Sequence, residues 1–233
     1  MSYRFFSIII PAHNEESIIA TTLQSIKDQD YPADRFEVIL VENGSTDSTF
    51  EVAKKFVSPN FNIMSSEKGV SKARNFGFRH SSPQTDWYIF LDADTFFEKG
   101  FFAELNDYLE KHPKVGYGTT TVLLDDTTLA GRFWTWYLNA GDKLIRIMHR
   151  LHIVRADLAA KVRYDESLVL SEDLRYSRDL APLGKYFFMK TRSVITSARR
   201  FKNKGYLKMF FINLYTGLFP RKTLQKKDWE VIR

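Results

Sequence analysis

Asp92-Ala93-Asp94 carries the sharpest chemistry in the sequence: two carboxylates one residue apart, directly after the apolar run WYIFL. Close carboxylates repel unless a proton or cation stands between them. A hard divalent ion, Mg²⁺ or Mn²⁺, completing its shell with phosphate oxygens, relieves that repulsion. A solvated turn at a strand end reads the same way from these three residues alone. Arg199-Arg200 offers forked donors that can grip a diphosphate, and equally opens a basic tail. His13, His80, His112, His149 and His152 show no metal-binding spacing and receive no role, although His149 or His152 as a third metal ligand stays open. No Gly-x-Gly-x-x-Gly follows the first strand and no Gly-rich loop with Lys-Ser/Thr occurs, which takes away the main support for a dehydrogenase or a P-loop NTPase.

The elements that must position these residues follow from periodicity. Phe6–Ile10 reads as a buried strand closed by Pro11, and Glu15–Asp28 as a helix with apolar residues at helical spacing. The pairing recurs in FEVILV (36–41) with a helix over Thr46–Val57 capped by Asp47 or Ser45, then in a strand at Phe61–Ser65 with a helix over Gly69–His80, and in the strand Trp87–Leu91. Such alternation predicts a mostly parallel sheet covered on both faces, with ligands beyond the carboxyl ends of its strands. The polar segments 11–15, 42–47 and 92–95 all lie there. Beyond residue 115 the pattern is less regular: a strand over Val115–Leu124, a long helix over Leu129–Leu151, a strand at His152–Val154, a helix from Asp173 to Leu183 ended by Gly184, and a strand within Tyr186–Ile195.

Composition bounds the function classes. The 233 residues, 44% hydrophobic and 27% charged, are those of a globular protein with a sizeable core, and the absence of cysteine excludes disulfides, a thiolate nucleophile and cysteine-ligated metal. The net charge of +6 is unevenly spread: residues 199–233 carry +8 and the first 198 carry −2. That tail fits nucleic acid, an anionic membrane surface or a phosphorylated ligand. The N-terminus reaches Pro11 too soon for a signal peptide, and no apolar run approaches a membrane span, so a cytoplasmic location is expected.

Five strings in order, SIIIPAHNEE (7–16), VENGSTDST (41–49), GVSKARNFG (69–77), FLDADT (90–95) and SEDLRYSRDL (171–180), resemble the family 2 glycosyltransferases, and TSARRF (196–201) resembles a short bacterial branch of that family. The resemblance covers roughly residues 6–200. It implies a single Rossmann-like α/β nucleotide-sugar transferase domain of the A type, with a nucleotide-binding half (1–115) and an acceptor-binding half (116–198), followed by a basic, aromatic helical extension (199–233). It further implies direct, inverting transfer of a sugar from a nucleotide-diphosphate donor to an acceptor hydroxyl. Matched to this chain, Ala12, Asn14 and Glu15 lie against ribose and base. Asn43, where the family often has Asp, meets the base, and Arg74 the base and diphosphate. Asp92 lies near ribose and sugar, and Asp94 binds a Mn²⁺ or Mg²⁺ that neutralises the departing diphosphate. Arg200 joins the donor-binding set, Glu172 orients acceptor hydroxyls, and Asp173 takes the acceptor proton. Asn43-Gly44 also reads as a turn, Arg74 as a surface charge, and Asp173 or Ser171 as a helix cap.

Two other functions compete. LDADT (91–95) matches the nucleophile motif of haloacid-dehalogenase-type phosphatases, with Asp92 as nucleophile, but three strand–helix units precede it where that motif opens its domain. A non-catalytic basic adaptor for nucleic acid is disfavoured by the acid-rich first 198 residues, and no nucleic-acid partner is expected. Gly205–Pro220, apolar and flanked by Lys and Arg, is expected to hold the protein peripherally on the inner face of an anionic membrane beside a lipid-linked or cell-envelope acceptor, or to dock in its own core or a homo-oligomer interface. The Trp134, Tyr137, Leu138, Gly141, Ile145 and Met148 stripe is read as a helix face packed on the domain.

Overall fold

A computed structural model describes residues 2–168 and 171–209. Its centre is β1 (Phe6–Ala12), buried at every position. Alternate side chains of a strand face opposite ways: Phe6, Ile8, Ile10 and Ala12 pack with Leu23 and Phe102 on one side, while Ile9 meets Tyr88 and Phe90 on the other. A strand covered on both faces reads as continuous apolar sequence, which is why FSIIIPA shows no alternation.

Around β1, the first half winds as β2 (Phe36–Glu42), β3 (Phe61–Ser65) and β4 (Trp87–Leu91), with β2 and β4 parallel to β1 and β3 parallel to β2. Helices α1 (Ile19–Lys27), α2 (Thr49–Lys54) and α3 (Val70–Arg79) make the connections. Helices α1 and α2 begin later than periodicity indicates, because polar residues ahead of them are committed to the loops: the Glu15 carbonyl accepts from Ile18 and Ile19, and Asp47 accepts from the Thr49 N–H at 3.0 Å. Gly77 of α3 lies so close to β1 that an added Cβ would stand 2.6 Å from Ile9 Cγ2.

The second half completes a seven-stranded sheet in the order β3-β2-β1-β4-β8-β6-β9. After β5 (Thr95–Phe97) and α4 (Phe101–Lys111), β6 (Val115–Thr120) pairs in parallel with β9 (Lys185–Met189). Between β4 and β6 lies β8 (Leu151–Arg155), antiparallel to both and followed by the short α6 (Ala156–Ala159). A small second sheet joins β5, β10 (Val194–Thr196) and β7 (Leu123–Leu124). The single strand expected over Val115–Leu124 is therefore two, and that within Tyr186–Ile195 is also two, since each segment leaves the main sheet for the small one.

The long helix is shorter than expected. Helix α5 (Leu129–Ile145) stops six residues early, at Arg146 in the left-handed region (φ 56°), while the Ile147 N–H returns to the Asp142 carbonyl. Met148, assigned to the helical stripe, is fully buried but in the following turn. Helix α7 (Glu172–Leu180) starts one residue earlier than expected, and neither Ser171 nor Asp173 caps it through its side chain. Helix α8 (Arg199–Lys204) and the helical residues 206–209 pack on α5: Phe201 lies 5.0 Å from the Trp134 ring and Tyr206 lies 6.4 Å from it. Most of the extension, and 210–220 of the apolar stretch, lie outside the described residues.

Candidate active site

Three strand ends and one helix start deliver their polar residues to a single cavity of about 1970 Å³, larger than the roughly 300–1,000 Å³ that suits one small ligand. Asn14, Glu15, Asn43, Arg74, Asp92, Asp94, Glu172, Asp173 and Arg200 all line it. Ala12 is buried just behind, where its carbonyl accepts the Asn43 backbone and side-chain N–H groups, both at 2.9 Å.

The rim of the first half is knitted by side-chain hydrogen bonds to backbone N–H groups. Asn14 Oδ1 accepts from the Thr46 N–H at 2.8 Å, and Asn43 Oδ1 from the Gly69 N–H at 3.3 Å. Between them Gly44 turns the chain at φ 81°, where a side chain would be strained. The Asn43 amide is thus spent on backbone, and the turn reading and the lining of the cavity hold together. Glu15 is 4% exposed and ion-paired with Arg199, which also reaches Ser17 Oγ at 3.0 Å. Of the two adjacent arginines, Arg199 therefore ties the C-terminal helix to the first loop, while the exposed Arg200 lines the cavity.

Across the cavity the organising group is Arg74. Its side chain is only 3% exposed and stands 4.9 Å over the Tyr164 ring. Nη2 reaches Asp92 Oδ1 at 3.1 Å, while Nη1 reaches Asp173 Oδ1 at 2.7 Å and Glu172 Oε1 at 3.3 Å. One cation from α3 thereby holds the end of β4 against the first turn of α7. Three carboxylates around one guanidinium leave negative charge in excess. Burial, and then repulsion from Glu172, push the Asp173 carboxyl well above the usual range, against the opposing pull of Arg74.

His152, given no role from sequence, lies at the centre of this cluster. It is fully buried, with Nε2 at 3.0 Å from the His149 carbonyl and 3.3 Å from Asp173 Oδ1, and Nδ1 on the Tyr164 hydroxyl. Burial, and then the Arg74 charge, push its pKa well below the usual value, so the ring is neutral at neutral pH. A carbonyl only accepts, which puts the proton on Nε2 and makes Nδ1 the acceptor of the tyrosine O–H. The tautomer thus points an N–H at the carbonyl and toward Asp173. Tyr164 is itself fixed by Asn75, which exchanges two hydrogen bonds with its backbone at 2.9 and 3.1 Å. No sequence signal marks His152 or Tyr164, since they meet Asp173 only through the sheet and α3. A second cluster adjoins: buried Asp142 holds His149 Nδ1 and, at 3.2 Å, Arg150 Nη2.

Every described non-glycine residue with positive φ, namely Asn14, Arg146 and Ser171, lines this cavity. Asparagine tolerates that region, whereas arginine and serine are strained there, as residues at functional sites often are.

Among the described residues no three carboxylates or imidazoles converge as a metal cage. The donor set is instead the half-buried Asp94 carboxylate beside Asp92, whose Oδ1 is committed to Arg74. One or two carboxylates with an open cavity before them fit Mg²⁺ or Mn²⁺, ions that take most of their ligands from phosphate and water.

A sequence model of the family described as "Glycosyl transferase family 2" matches residues 7–163. The minor teichoic acid biosynthesis protein GgaA of Bacillus subtilis is 26% identical over 211 residues, 80% of this chain but 47% of GgaA, so the chain spans less than half of that relative. Among solved structures, S. aureus TarS 1–349 in complex with UDP-GlcNAc superposes with a TM-score of 0.70 at 19% identity, covering 83% of this chain and 58% of that one. The mannosyltransferase PcManGT from Pyrobaculum calidifontis, in complex with GDP-Man and Mn²⁺, gives a TM-score of 0.63 at 22% identity, covering 92% and 65%.

Proposed function

The chain belongs to glycosyl transferase family 2, and from that premise we propose that it moves a sugar from a nucleotide-diphosphate donor to an acceptor hydroxyl with inversion at the anomeric carbon. The observation that carries the reading is the convergence of Asp94 and Asp173, from opposite halves of the fold, on one cavity with room for donor and acceptor together. Membership of the family leaves the phosphatase and nucleic-acid adaptor readings without support. Asp92, the nucleophile of the phosphatase reading, is held by Arg74.

The nucleotide lies along Asn14, Glu15 and Asn43, with Arg200 toward the diphosphate. The fold does not choose the base, since one neighbour holds UDP-GlcNAc and another GDP-Man. A divalent cation at Asp94 would supply charge neutralisation for the departing diphosphate. Asp173 is the base. Its Oδ1 is anchored by Arg74 and faces His152, and no described residue bonds to Oδ2, which is left for the acceptor hydroxyl. A raised pKa makes this carboxylate a better proton acceptor than an ordinary aspartate. Glu172, on the same arginine, orients acceptor hydroxyls. A relative named for minor teichoic acid biosynthesis supports an acceptor on a lipid-linked or cell-envelope glycan, met at the cytoplasmic face of the membrane. The division of roles between residues 1–115 and 116–198, with 199–233 as an extension, belongs to the same proposal.

Calorimetric titration of UDP and GDP with Mn²⁺ into wild type and Asp94→Ala tests it. The substitution, or excess chelator, is expected to weaken binding of the preferred nucleotide at least about tenfold, as loss of a metal contact does. Undiminished affinity in both would remove the metal from the proposal.

A further inference from the structure

Apolar side chains exposed to water are unevenly distributed over this molecule. Nine large ones stand exposed among the described residues, and five belong to α5: Leu129 (85%), Phe133 (51%), Trp136 (65%), Leu144 (83%) and Ile145 (58%). A sixth, Leu207, follows α8. Positions 129, 133, 136, 140 and 144 repeat at three- and four-residue intervals, so Leu129, Phe133, Trp136 and Leu144 form one stripe along the helix with Ala140 between them. The face packed on the domain is a different one, carried by Trp134 and Asp142 with Asn139 bonded to the Val122 backbone. The helix is therefore amphipathic twice over: one side meets the fold, and an aromatic-aliphatic ridge faces out.

Charge says what the ridge fits. Arg132 and Lys143 flank the stripe, Arg146 ends the helix, and Lys208 lies on the packed C-terminal segment. All four are exposed and form no ion pair with a described residue. The acids nearby are engaged: Asp142 by His149 and Arg150, Asp126 by the Tyr206 hydroxyl, Asp125 by Lys202 at 3.8 Å. A stripe of Trp, Phe and Leu with an uncompensated cationic border has the chemistry of a helix lying in a bilayer interface over anionic headgroups. It does not cross, since no described helix is long and apolar enough to do so.

We propose that the outward face of α5, with the cations of the C-terminal segment packed beside it, is a docking surface for an anionic lipid bilayer. Trp136 and Leu144 of this face also line the active-site cavity, as do Ile145 at the end of α5 and Arg200, Lys204 and Met209 on the C-terminal side. Docking there sets the mouth of the cavity against the lipid surface and selects acceptors that carry their hydroxyl on a membrane-anchored chain. The docking itself stands on the exposed face. Only the acceptor assignment rests on the transferase reading.

Flotation with vesicles of equal parts phosphatidylcholine and phosphatidylglycerol, and with phosphatidylcholine alone, tests the docking without any assay of transfer. Leu129 and Phe133 lie outside the cavity lining, so Leu129→Glu/Phe133→Glu addresses the ridge and leaves the site intact. Arg132→Glu/Lys143→Glu addresses the border. Wild type is expected to float with the anionic vesicles, less so at high salt because headgroup attraction is screened while apolar insertion is not. The ridge variant should lose at least about tenfold in vesicle affinity at every salt concentration, having lost two apolar anchors. The border variant should lose affinity at low salt only. An unchanged unfolding midpoint certifies that each variant is folded. Wild type that stays unbound at low salt overturns the proposal, and so does a ridge variant that floats like wild type. Wild type that fails to float but sediments as a dimer, dispersed by the same ridge substitutions, overturns it too and makes the face a subunit interface. Failure of nucleotide binding with docking preserved would instead strike the transferase reading.

Discussion

The two sides of the cavity are stabilised by different physics. On the nucleotide side, β1, β2 and α3 close their rim mainly with hydrogen bonds to backbone, Asn43 to Ala12 and Gly69 and Asn14 to Thr46, and the buried Glu15 carboxylate there is matched one to one by Arg199. On the acceptor side, the first turn of α7 is held by a lone guanidinium among three carboxylates, against a buried neutral imidazole. A neutral network can be completed by the chain that makes it, because each donor meets one acceptor. The ionic cluster is left with excess negative charge, which destabilises the fold and serves proton transfer. The first side is built as a scaffold, and the second keeps a strained, reactive group in place from outside.

The largest effect should come from removing the cation that spans the two sides. Arg74→Met keeps much of the side chain's volume but leaves Asp92, Glu172 and Asp173 facing one another with no counter-charge. Breaking a buried ion cluster in this way costs roughly 3–5 kcal/mol. Urea unfolding at neutral pH is expected to show that loss, diminishing as the pH falls and the carboxylates take up protons. A loss below about 1 kcal/mol would mean that the cluster is solvated like a surface pair and that the contrast between the sides is false.

Asp173→Asn separates reactivity from stability. Transfer is expected to fall about 10²-fold or more, since the general base is gone, with nucleotide binding retained. Stability should move the other way. A carboxyl whose pKa is raised by folding favours the fold at acid pH, below the ordinary carboxylate range, and that contribution is lost as pH rises through the raised value. That contribution declines in wild type as the pH rises towards neutral, whereas the amide does not titrate, so the variant's melting temperature at neutral pH should equal or exceed that of wild type. The acid limb of the wild-type pH–rate profile should likewise lie above the range of an ordinary aspartate. A variant that is both active and less stable would make Asp173 a structural residue.

The contrast also explains what could be read from the sequence. In the first half the strands are short and apolar and the first three are each followed by a helix, so periodicity locates them to within a few residues, and the polar strand ends mark the cavity rim. Asp92-Ala93-Asp94 was legible because a run as apolar as WYIFL ends on it. In the second half positions depend on partners far along the chain. Met148 continues the apolar stripe read for the long helix, yet α5 ends at Arg146, where the Ile147 N–H returns to the Asp142 carbonyl and the Asp142 carboxylate is drawn to His149 and Arg150. Asp173 was visible in its motif with Arg74, Asp92 and Glu172, but two further companions were not. His152 arrives from β8 and Tyr164 is fixed by Asn75 of α3, and no local spacing connects them.

The smallest expected effect comes from one substitution made on both sides. Gly77 and Gly141 are both helix-interior glycines without positive φ, so alanine gains the same helical propensity at either, about 0.8–1.0 kcal/mol. Their surroundings differ. At Gly77 the new Cβ would lie 2.6 Å from Ile9 Cγ2 and 3.4 Å from Val41 Cγ2, inside a face where α3 is seated on two buried strands. Rearranging such packing costs about 1–3 kcal/mol and should outweigh the propensity. At Gly141 nothing lies within 4 Å, because that face of α5 borders the cavity. Gly77→Ala should therefore lower the urea midpoint and Gly141→Ala should raise it, by up to about 1 kcal/mol in the second case. Equal shifts of the same sign would show that the two glycines have equivalent surroundings, and the contrast between the seated face of α3 and the cavity face of α5 would be false.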